Sequence, residues 1–259
     1  MIDLHSHILY DVDDGALTLA ESLAMAEVAA RSGTRVIAAT PHSPGSTGCH
    51  TYEPALFHER ITAINAALAG EGLPIEVVAG TEICFTPGIV ERLQRGQLLP
   101  YGRSRAILLE LVGPAFPPAF DTAVFNLQVA GYRVLLAHPE RIAEVQRDPN
   151  RLVALVQRGV LMQLTADALV GGQGERMRAT AEMLLTHGLA HVLASDAHGV
   201  GPRRAPVLSA ARERAAELVG ADAASALVQA TPAALLYDQP LRLPPPRPIG
   251  PPRSRWWSR

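Results

Sequence analysis

Short apolar runs alternate with longer amphipathic stretches along most of the chain. The short runs are rich in Val, Ile and Leu and are bounded by helix-like segments, which is typical of strands buried on both faces. They predict seven strands, at 2–5, 35–40, 75–80, 106–111, 133–137, 160–164 and 191–194. The amphipathic stretches are rich in Ala and Leu and predict helices at 19–32, 54–69, 118–130, 150–158, 175–187, 203–219 and 231–237.

This alternation predicts an α/β protein with a parallel sheet, which is either open or closed into a barrel. We favour a closed or distorted barrel, because the candidate ligand residues described below follow nearly every predicted strand. An open sheet would gather such residues mainly at one switch point.

The 259 residues are long for one typical domain and short for two, and α/β barrels of about 250 residues form single domains. We therefore predict one domain over residues 1–239. Residues 240–259 are rich in proline and contain five arginines and two tryptophans, so we predict a PPII-like or disordered tail. This tail is either a solvated extension or a segment that contacts a membrane surface or a partner.

The charged residues exclude several classes of function. Lys plus Arg is 23 against 25 Asp plus Glu, a formal net charge of -2, so there is no basic excess for binding nucleic acid. All 23 basic residues are arginine. This excludes both a Schiff-base lysine and a P-loop lysine.

The two cysteines exclude further classes. Cys49 and Cys84 have no zinc-ribbon spacing, cannot form a dense disulfide framework and do not fit the C-x5-R pattern of thiolate phosphatases. Few cysteines and an N-terminus without signal-peptide features predict a cytoplasmic protein. No apolar run approaches the ~18–20 residues of a membrane span.

The first predicted strand ends in a His-x-His pair, His5 and His7. Residues two apart on a strand project to the same side, so both imidazoles can bind one ion. A lone pair of this kind is weak evidence, because it is often structural.

Ligand-type residues recur at later strand ends, and this strengthens the metal hypothesis. Glu110 lies inside an apolar run, where an unpaired carboxylate would be costly. Seven of the nine candidates lie at or just past the end of a predicted strand, where an α/β barrel builds its site. The predicted ligands are His5, His7, Asp14, His42, Glu82, Glu110, His138, Asp196 and His198.

Histidine and carboxylate ligands without thiolate suit Mn, Fe or Zn. Five neutral imidazoles and four carboxylates carry a charge of -4, so three divalent ions would leave +2, which matches a phosphate dianion. This favours a trinuclear cluster. Such a cluster polarises phosphoryl oxygens and supplies an activated hydroxide at neutral pH.

Several segments carry a resemblance to a known family. They are Met-Ile-Asp-Leu-His-Ser-His with Val-Asp-Asp-Gly, Thr-Pro-His, Gly-Thr-Glu-Ile, Ala-His-Pro-Glu-Arg and Ser-Asp-Ala-His. The chain resembles the polymerase-and-histidinol-phosphatase (PHP) superfamily over residues 1–237, and within it the CpsB/CapC/YwqE branch. The resemblance implies a distorted (β/α)7 barrel and a manganese-dependent protein-tyrosine phosphatase that regulates capsule or exopolysaccharide synthesis. An exopolysaccharide tyrosine kinase would be its substrate protein.

The resemblance also implies roles for individual residues. His5, His7, Glu82 and Asp196 would hold one ion, Glu82 would bridge to a second completed by Glu110 and His138, and the third would be held by Asp14, His42 and His198. Arg141 and Arg203 would bind phosphate, with Arg204 as the alternative to Arg203. Residues 43–50 carry Gly, Ser and Pro where some relatives have basic residues.

Other interpretations stay open at this point. The chain is alternatively a small-molecule phosphomonoesterase of the same superfamily, for example on histidinol phosphate, or a non-catalytic module that binds metal for structure. Asp11 and Asp13 are alternatives to Asp14. We expect Cys84 in the core and the remaining histidines, His50, His58, His187 and His191, at the surface or behind the ligands.

Overall fold

Eight strands form two parallel sheets in the computed structural model, which describes residues 1–250. The first sheet has the order β1-β2-β3 and the second has the order β4-β5-β6-β7-β8. The strands are β1 (Ile2–Ser6), β2 (Val36–Ala39), β3 (Glu76–Ala79), β4 (Glu82–Cys84), β5 (Ala106–Glu110), β6 (Arg133–Ala137), β7 (Leu161–Thr165) and β8 (Val192–Ala194).

Two isolated bridges join the edges of these sheets. Ser6 of β1 pairs with Ala197 beyond β8, and His42 beyond β2 pairs with Glu82 of β4. The sheets therefore close into a distorted barrel, as the sequence predicted.

The third predicted strand, 75–80, corresponds to β3, and the short strand β4 directly after it was not predicted, so the number of strands is eight and not seven. The chain leaves β3 at Ala79 and pairs again from Glu82 in the other sheet. Gly80 lies at the break, where a Cβ atom would come within 3.0 Å of Thr40 Cγ2 and 3.1 Å of the Tyr101 ring. The close approach of these side chains favours glycine there, because a Cβ atom would displace them by a few tenths of an ångström.

Helices follow most strands and cover the outside of the barrel. They are α1 (Leu19–Arg31), α2 (Pro54–Gly70), α3 (Ile89–Gln94), α4 (Phe120–Val129), α5 (Ala143–Arg147), α6 (Arg151–Gln157), α7 (Ala166–Leu169), α8 (Glu175–Thr186), α9 (Ser209–Val219), α10 (Ala221–Val228) and α11 (Ala230–Leu236). Within residues 1–250, no helix combines the length and the apolar character that crossing a bilayer requires.

The helix predicted at 203–219 begins later than predicted, at Ser209. Arg204 has a positive φ of 56°, which is incompatible with a right-handed helix, and Pro206 cannot donate a helical hydrogen bond. Residues 203–208 therefore form a loop. The sequence analysis also missed α3, α5, α7 and α10, all of eight residues or fewer, because short helices give little periodicity.

Alternate residues of the strands fill the interior of the barrel. Leu4, Leu108 and Leu135 belong to one buried cluster, while the strand neighbours of Leu108 and Leu135 belong to a second cluster that includes residues of the helices. Leu235 of α11 joins the interior cluster. The barrel therefore has a packed apolar core, and polar chemistry is confined to its ends.

Residues 240–250 contain no helix or strand, and they hydrogen-bond to the barrel domain. The Arg247 N–H donates to the His187 carbonyl at 2.8 Å, and Ile249 and Asn150 exchange two hydrogen bonds of 2.8 and 2.9 Å. The rest of the predicted tail, 251–259, lies outside the described residues. The division into a domain at 1–239 and a disordered tail stays a prediction.

Candidate metal centre

All nine predicted ligands meet at the carboxyl end of the barrel strands, and we call them the histidine–carboxylate cluster. Their ligand atoms form four groups, and within each group the atoms lie within 4.8 Å of one another. The groups are His7, Asp14, His42 and His198; His5, His7 and Asp196; His5, Glu82 and His138; and His42, Glu82 and Glu110.

The groups share members, which brings them into contact. Glu82 Oε1 lies 2.9 Å from His138 Nε2 and 3.3 Å from His5 Nε2, while Glu82 Oε2 lies 2.9 Å from His42 Nδ1. Glu82 therefore belongs to two of the ligand groups, and its role as a bridge between two ions stays a prediction. His7 is also shared, since it joins both the Asp196 group and the Asp14 group.

Strand β1 explains why His5 and His7 point into the cluster together. Their Nε2 atoms are 3.3 Å apart, and each lies 3.4 Å from Asp196 Oδ1. The Nδ1 atoms face away: that of His5 lies 2.9 Å from Gln163 Oε1, and that of His7 lies 2.7 Å from Asp13 Oδ2. These partners fix the ring orientations and leave both Nε2 atoms available as ligands.

Asp13 and Gln163 were not predicted as site residues. Asp13 was considered only as an alternative to Asp14, and it lies behind His7 and accepts a hydrogen bond from the His42 backbone N–H at 3.2 Å. Gln163 is fully buried in β7. A polar side chain inside the apolar run 160–164 was the available signal, the same signal that identified Glu110.

The tight turn after β1 depends on glycine. A Cβ atom on Gly15 would lie 2.0 Å from the His7 carbonyl oxygen. The Gly15 N–H donates to Asp13 Oδ1 at 3.0 Å, so the Asp-Asp-Gly segment holds Asp13 against His7 and leaves Asp14 facing His42 and His198.

Three residues of the site have strained backbones. His138, Asp196 and Arg204 have positive φ values of 31°, 52° and 56°. Non-glycine residues rarely adopt this region, and such strain concentrates at functional sites. In His138 and Asp196 it occurs where the chain turns sharply at the end of β6 and β8.

Two arginines contact Asp196. Arg141 Nη2 lies 2.5 Å from Asp196 Oδ2, and Arg204 Nη2 lies 2.9 Å from Asp196 Oδ1. Thr165 and Gln173 accept further hydrogen bonds from Arg141. The Nη1 atoms of Arg141 and Arg204 have no hydrogen-bond partner among residues 1–250, so they remain available to bind an anion.

Arg203, the other arginine named from the sequence, is exposed and does not line the cavity above the cluster. Its neighbour Arg204 lines that cavity instead, because the positive φ of Arg204 turns its guanidinium toward Asp196. The structure thus brings Arg141 and Arg204 to the cluster and leaves Arg203 outside it.

Burial and neighbouring charges shift the protonation of the cluster. Burial and the negative charge of Glu82 raise the pKa of Glu110 to about 7. Burial lowers the pKa of His138 to about 4, and the positive charge of Arg141 acts in the same direction. Burial opposes the charged form of His42, but Asp14 and Glu82 raise its pKa to about 9.

The side chains fit divalent metal ions. Glu82 Oε2, Glu110 Oε2 and His198 Nε2 are buried and have no partner with hydrogen-bond geometry among residues 1–250. Buried polar atoms of this kind normally have partners. Imidazole nitrogens and carboxylate oxygens converge here without a thiolate, which is the donor set of Mn, Fe and Zn sites.

A cavity of about 370 Å³ lies above the cluster. Its lining includes Asp14, Glu110, Val112, Arg141 and Arg204. A cavity of about 680 Å³ lies at the other end of the barrel, under residues 240–246. It is lined by no residue of the histidine–carboxylate cluster, so its size does not indicate the active site.

The remaining histidines and Cys84 have other positions. His50 and His58 are exposed, and Cys84 is buried, as predicted. The prediction for His191 was wrong. It is buried directly before β8 and belongs to none of the four ligand groups, and its Nδ1 accepts a 3.0 Å hydrogen bond from the Met162 N–H.

Curated relatives and a solved structure agree with this description. The chain is 37% identical over 203 residues to the tyrosine-protein phosphatase YwqE of Bacillus subtilis, covering 78% of this chain and 79% of YwqE. It is 27% identical over 244 residues to the tyrosine-protein phosphatase CpsB of Streptococcus pneumoniae, covering 92% and 99%.

One chain from the crystal structures of YwqE and CpsB, described as metal-dependent tyrosine phosphatases, superposes with a TM-score of 0.91. It shares 33% identity, and the match covers 97% of this chain and 100% of that one. The phosphotriesterase of Mycobacterium tuberculosis, at 12% identity and a TM-score of 0.57, shares the fold alone.

The family model for capsular polysaccharide synthesis proteins of the CpsB/CapC type matches residues 1–237, the part of the chain that builds the barrel and its cluster. The match ends at Tyr237, three residues before the proline-rich segment begins at Pro240. Sequence, fold and relatives therefore agree that the chain belongs to the CpsB/CapC family.

Proposed function

We propose that the chain is a metal-dependent protein-tyrosine phosphatase that holds three divalent ions, for which manganese is our expectation. The observation that carries this proposal is the meeting of four overlapping ligand groups with two guanidiniums that have free N–H donors. Ligands for cations and donors for an anion lie side by side, which is what hydrolysis of a phosphomonoester requires.

The distribution of ligands supports more than one ion. His5, His7, His42 and Glu82 each belong to two of the four groups, so neighbouring ions would share ligands. We assign His5, His7, Glu82 and Asp196 to one ion, Glu82, Glu110 and His138 to a second, and Asp14, His42 and His198 to a third. When bound, these ions supply Lewis acidity toward phosphoryl oxygens and lower the pKa of a water molecule.

The chain itself positions the substrate in this proposal. The guanidiniums of Arg141 and Arg204 face the cavity and would bind the non-bridging phosphoryl oxygens. Thr165 and Gln173 orient Arg141, so its position is set before substrate arrives. No covalent enzyme intermediate is needed, since the nucleophile is water.

Exposed apolar side chains favour a protein substrate over a small metabolite. Leu17, Val112, Val170 and Val200 are 46–65% exposed on loops that follow strands β1, β5, β7 and β8. These loops surround the end of the barrel that carries the cluster. Of these residues Val112 lines the cavity above the cluster, and an apolar side chain there favours the aromatic ring of a phosphotyrosine over histidinol phosphate.

The family name and the relatives suggest the biological setting. Relatives named as tyrosine-protein phosphatases in a capsular polysaccharide family support a role in regulating capsule or exopolysaccharide synthesis. A phosphotyrosine protein, such as an exopolysaccharide tyrosine kinase, would be the substrate. Two free thiols, Cys49 and Cys84, are consistent with a reducing, cytoplasmic location.

The first test measures metal content and turnover together. Protein purified without chelator is analysed for metal and assayed with Mn²⁺ on a phosphotyrosine peptide and on histidinol phosphate. Three ions per chain with faster peptide hydrolysis are expected. Faster hydrolysis of histidinol phosphate would support the alternative of a small-molecule phosphomonoesterase. Hydrolysis of neither substrate would support the alternative of a non-catalytic module that binds metal for structure.

A further inference from the structure

A second cavity adjoins the one above the cluster, and we call it the arginine pocket. Its volume is about 620 Å³, and its lining residues are Arg141, Asp167, Gly171, Gly172, Gln173, Gly174, Arg203 and Arg204. Arg141 and Arg204 also line the cavity above the cluster, so these two side chains form a wall shared by both cavities.

The arginine pocket is strongly positive. Three guanidiniums line it against a single carboxylate, Asp167. Arg141 and Arg204 contact Asp196 on the side of the cluster, but Arg203 has no ion pair among residues 1–250. An arginine at a cavity wall without a protein partner is available to bind an anion from outside.

A glycine-rich loop forms part of the pocket lining. The stretch Gly171 to Gly174 contains three glycines, and their N–H groups donate to carbonyl oxygens of the same loop region, so the positive charge of the pocket comes from its guanidiniums. Gln173 is already the acceptor for Arg141 Nε at 3.2 Å, which ties the loop to the wall between the cavities. The Gln173 side of the arginine pocket is therefore held against Arg141, whereas the Arg203 side chain is exposed and makes no such contact among residues 1–250.

From these contacts we infer that the arginine pocket binds a second anionic side chain of the substrate polypeptide, next to the phosphotyrosine in the cavity above the cluster. This inference rests on the proposed tyrosine-phosphatase function and adds a specificity determinant, Arg203. The second anion is either a carboxylate or a second phosphotyrosine, because both offer oxygen pairs to a guanidinium fork. Alternate residues of an extended peptide lie about 7 Å apart, so a residue close in sequence reaches a neighbouring cavity.

The test compares three phosphotyrosine peptides that differ at positions flanking the phosphotyrosine: one has glutamine, one glutamate and one a second phosphotyrosine. For the wild-type holoenzyme we expect kcat/KM to be about 3- to 5-fold higher for at least one anionic peptide than for the glutamine peptide, mainly through KM. This preference should shrink with added salt, because exposed charges are screened.

Two variants decide whether Arg203 is responsible. Arg203→Ala should bring the ratio of kcat/KM for the anionic peptide to kcat/KM for the glutamine peptide close to 1. Arg203→Glu should lower this ratio below 1. Arg176→Ala is the matched control, because Arg176 is an exposed arginine near the loop that does not line the pocket. It should keep the wild-type ratio.

The outcomes separate this inference from the proposed function. Equal hydrolysis of all three peptides by the wild type would overturn the arginine pocket while leaving the phosphatase intact. Hydrolysis of none would contradict the proposed function itself. An equal loss on every peptide in Arg203→Ala would place Arg203 at the phosphate and also overturn the pocket.

Discussion

Asp13 Oδ2 lies 2.7 Å from His7 Nδ1, and both side chains are fully buried. The negative charge of Asp13 opposes the effect of burial and holds the pKa of His7 well above its ordinary value. The same oxygen accepts a hydrogen bond from the His42 backbone N–H. One carboxylate that is not itself in a ligand group therefore orients two histidines that are.

Replacing Asp13 should weaken metal binding. In Asp13→Asn the charge behind His7 is lost, and we expect metal affinity to fall about 10- to 100-fold, as for other groups that orient ligands. Asp11→Asn is the matched control, because the Asp11 side chain is 77% exposed and bonds only to Arg60. Competition with a chelator of known affinity measures the change; equal affinities in both variants would contradict the role of Asp13.

Removing a ligand should abolish turnover. Because His5 and Asp196 each contact other members of the cluster, His5→Ala or Asp196→Ala should lower kcat/KM on a phosphotyrosine peptide by more than about 100-fold. His58→Ala, at an exposed histidine, should keep full activity. Circular dichroism checks that the variants fold. Full activity in either ligand variant would exclude the assignment.

The buried imidazole of His191 should make stability depend on pH. Burial lowers its pKa from 6.5 to about 4, and its Nδ1 must stay unprotonated to accept from Met162. Between pH 6.5 and pH 4 the unfolded state therefore binds more protons than the folded state. The contribution of His191 to the free energy of unfolding is complete above pH 6.5 and is lost as the pH falls toward 4. The loss is about 3 kcal/mol at most.

His191→Asn provides the comparison, since its Oδ1 can accept the same hydrogen bond without titrating. Urea unfolding at pH 7 and at pH 4.5 should show a smaller loss of stability for this variant than for the wild type. His58→Asn serves as the exposed control. If His191→Asn loses as much stability as the wild type on acidification, His191 does not contribute.

Truncation after Gln239 should spare turnover. Residues 240–250 lie against the starts of β6 and β7, at the end of the barrel opposite the cluster. We expect unchanged kcat/KM on a phosphotyrosine peptide. Loss of the three hydrogen bonds to His187 and Asn150 should cost about 2–3 kcal/mol, which lowers Tm by roughly 4–12 °C for a chain of this size. Reduced turnover would show that these residues act at the site.

The sequence by itself determined the α/β alternation, seven of the eight strands, the longer helices and the nine members of the histidine–carboxylate cluster. Strands buried on both faces give continuous apolar runs, and these runs were read to within a few residues of the observed strands. A polar residue at the end of such a run faces the carboxyl end of a barrel. The ligand residues were therefore visible one strand at a time.

Only the tertiary structure decided which side chains support the ligands and which arginine reaches them. Gln163 meets His5 across a separation of 158 residues, and no local pattern encodes such a pair. Arg204 rather than Arg203 contacts Asp196, and Arg204 has a positive φ of 56°. A hydrophobic pattern does not predict a single positive φ, so the sequence could not distinguish the two arginines. Ring orientation and guanidinium position are set by packing between distant segments, and that packing exists only in the folded barrel.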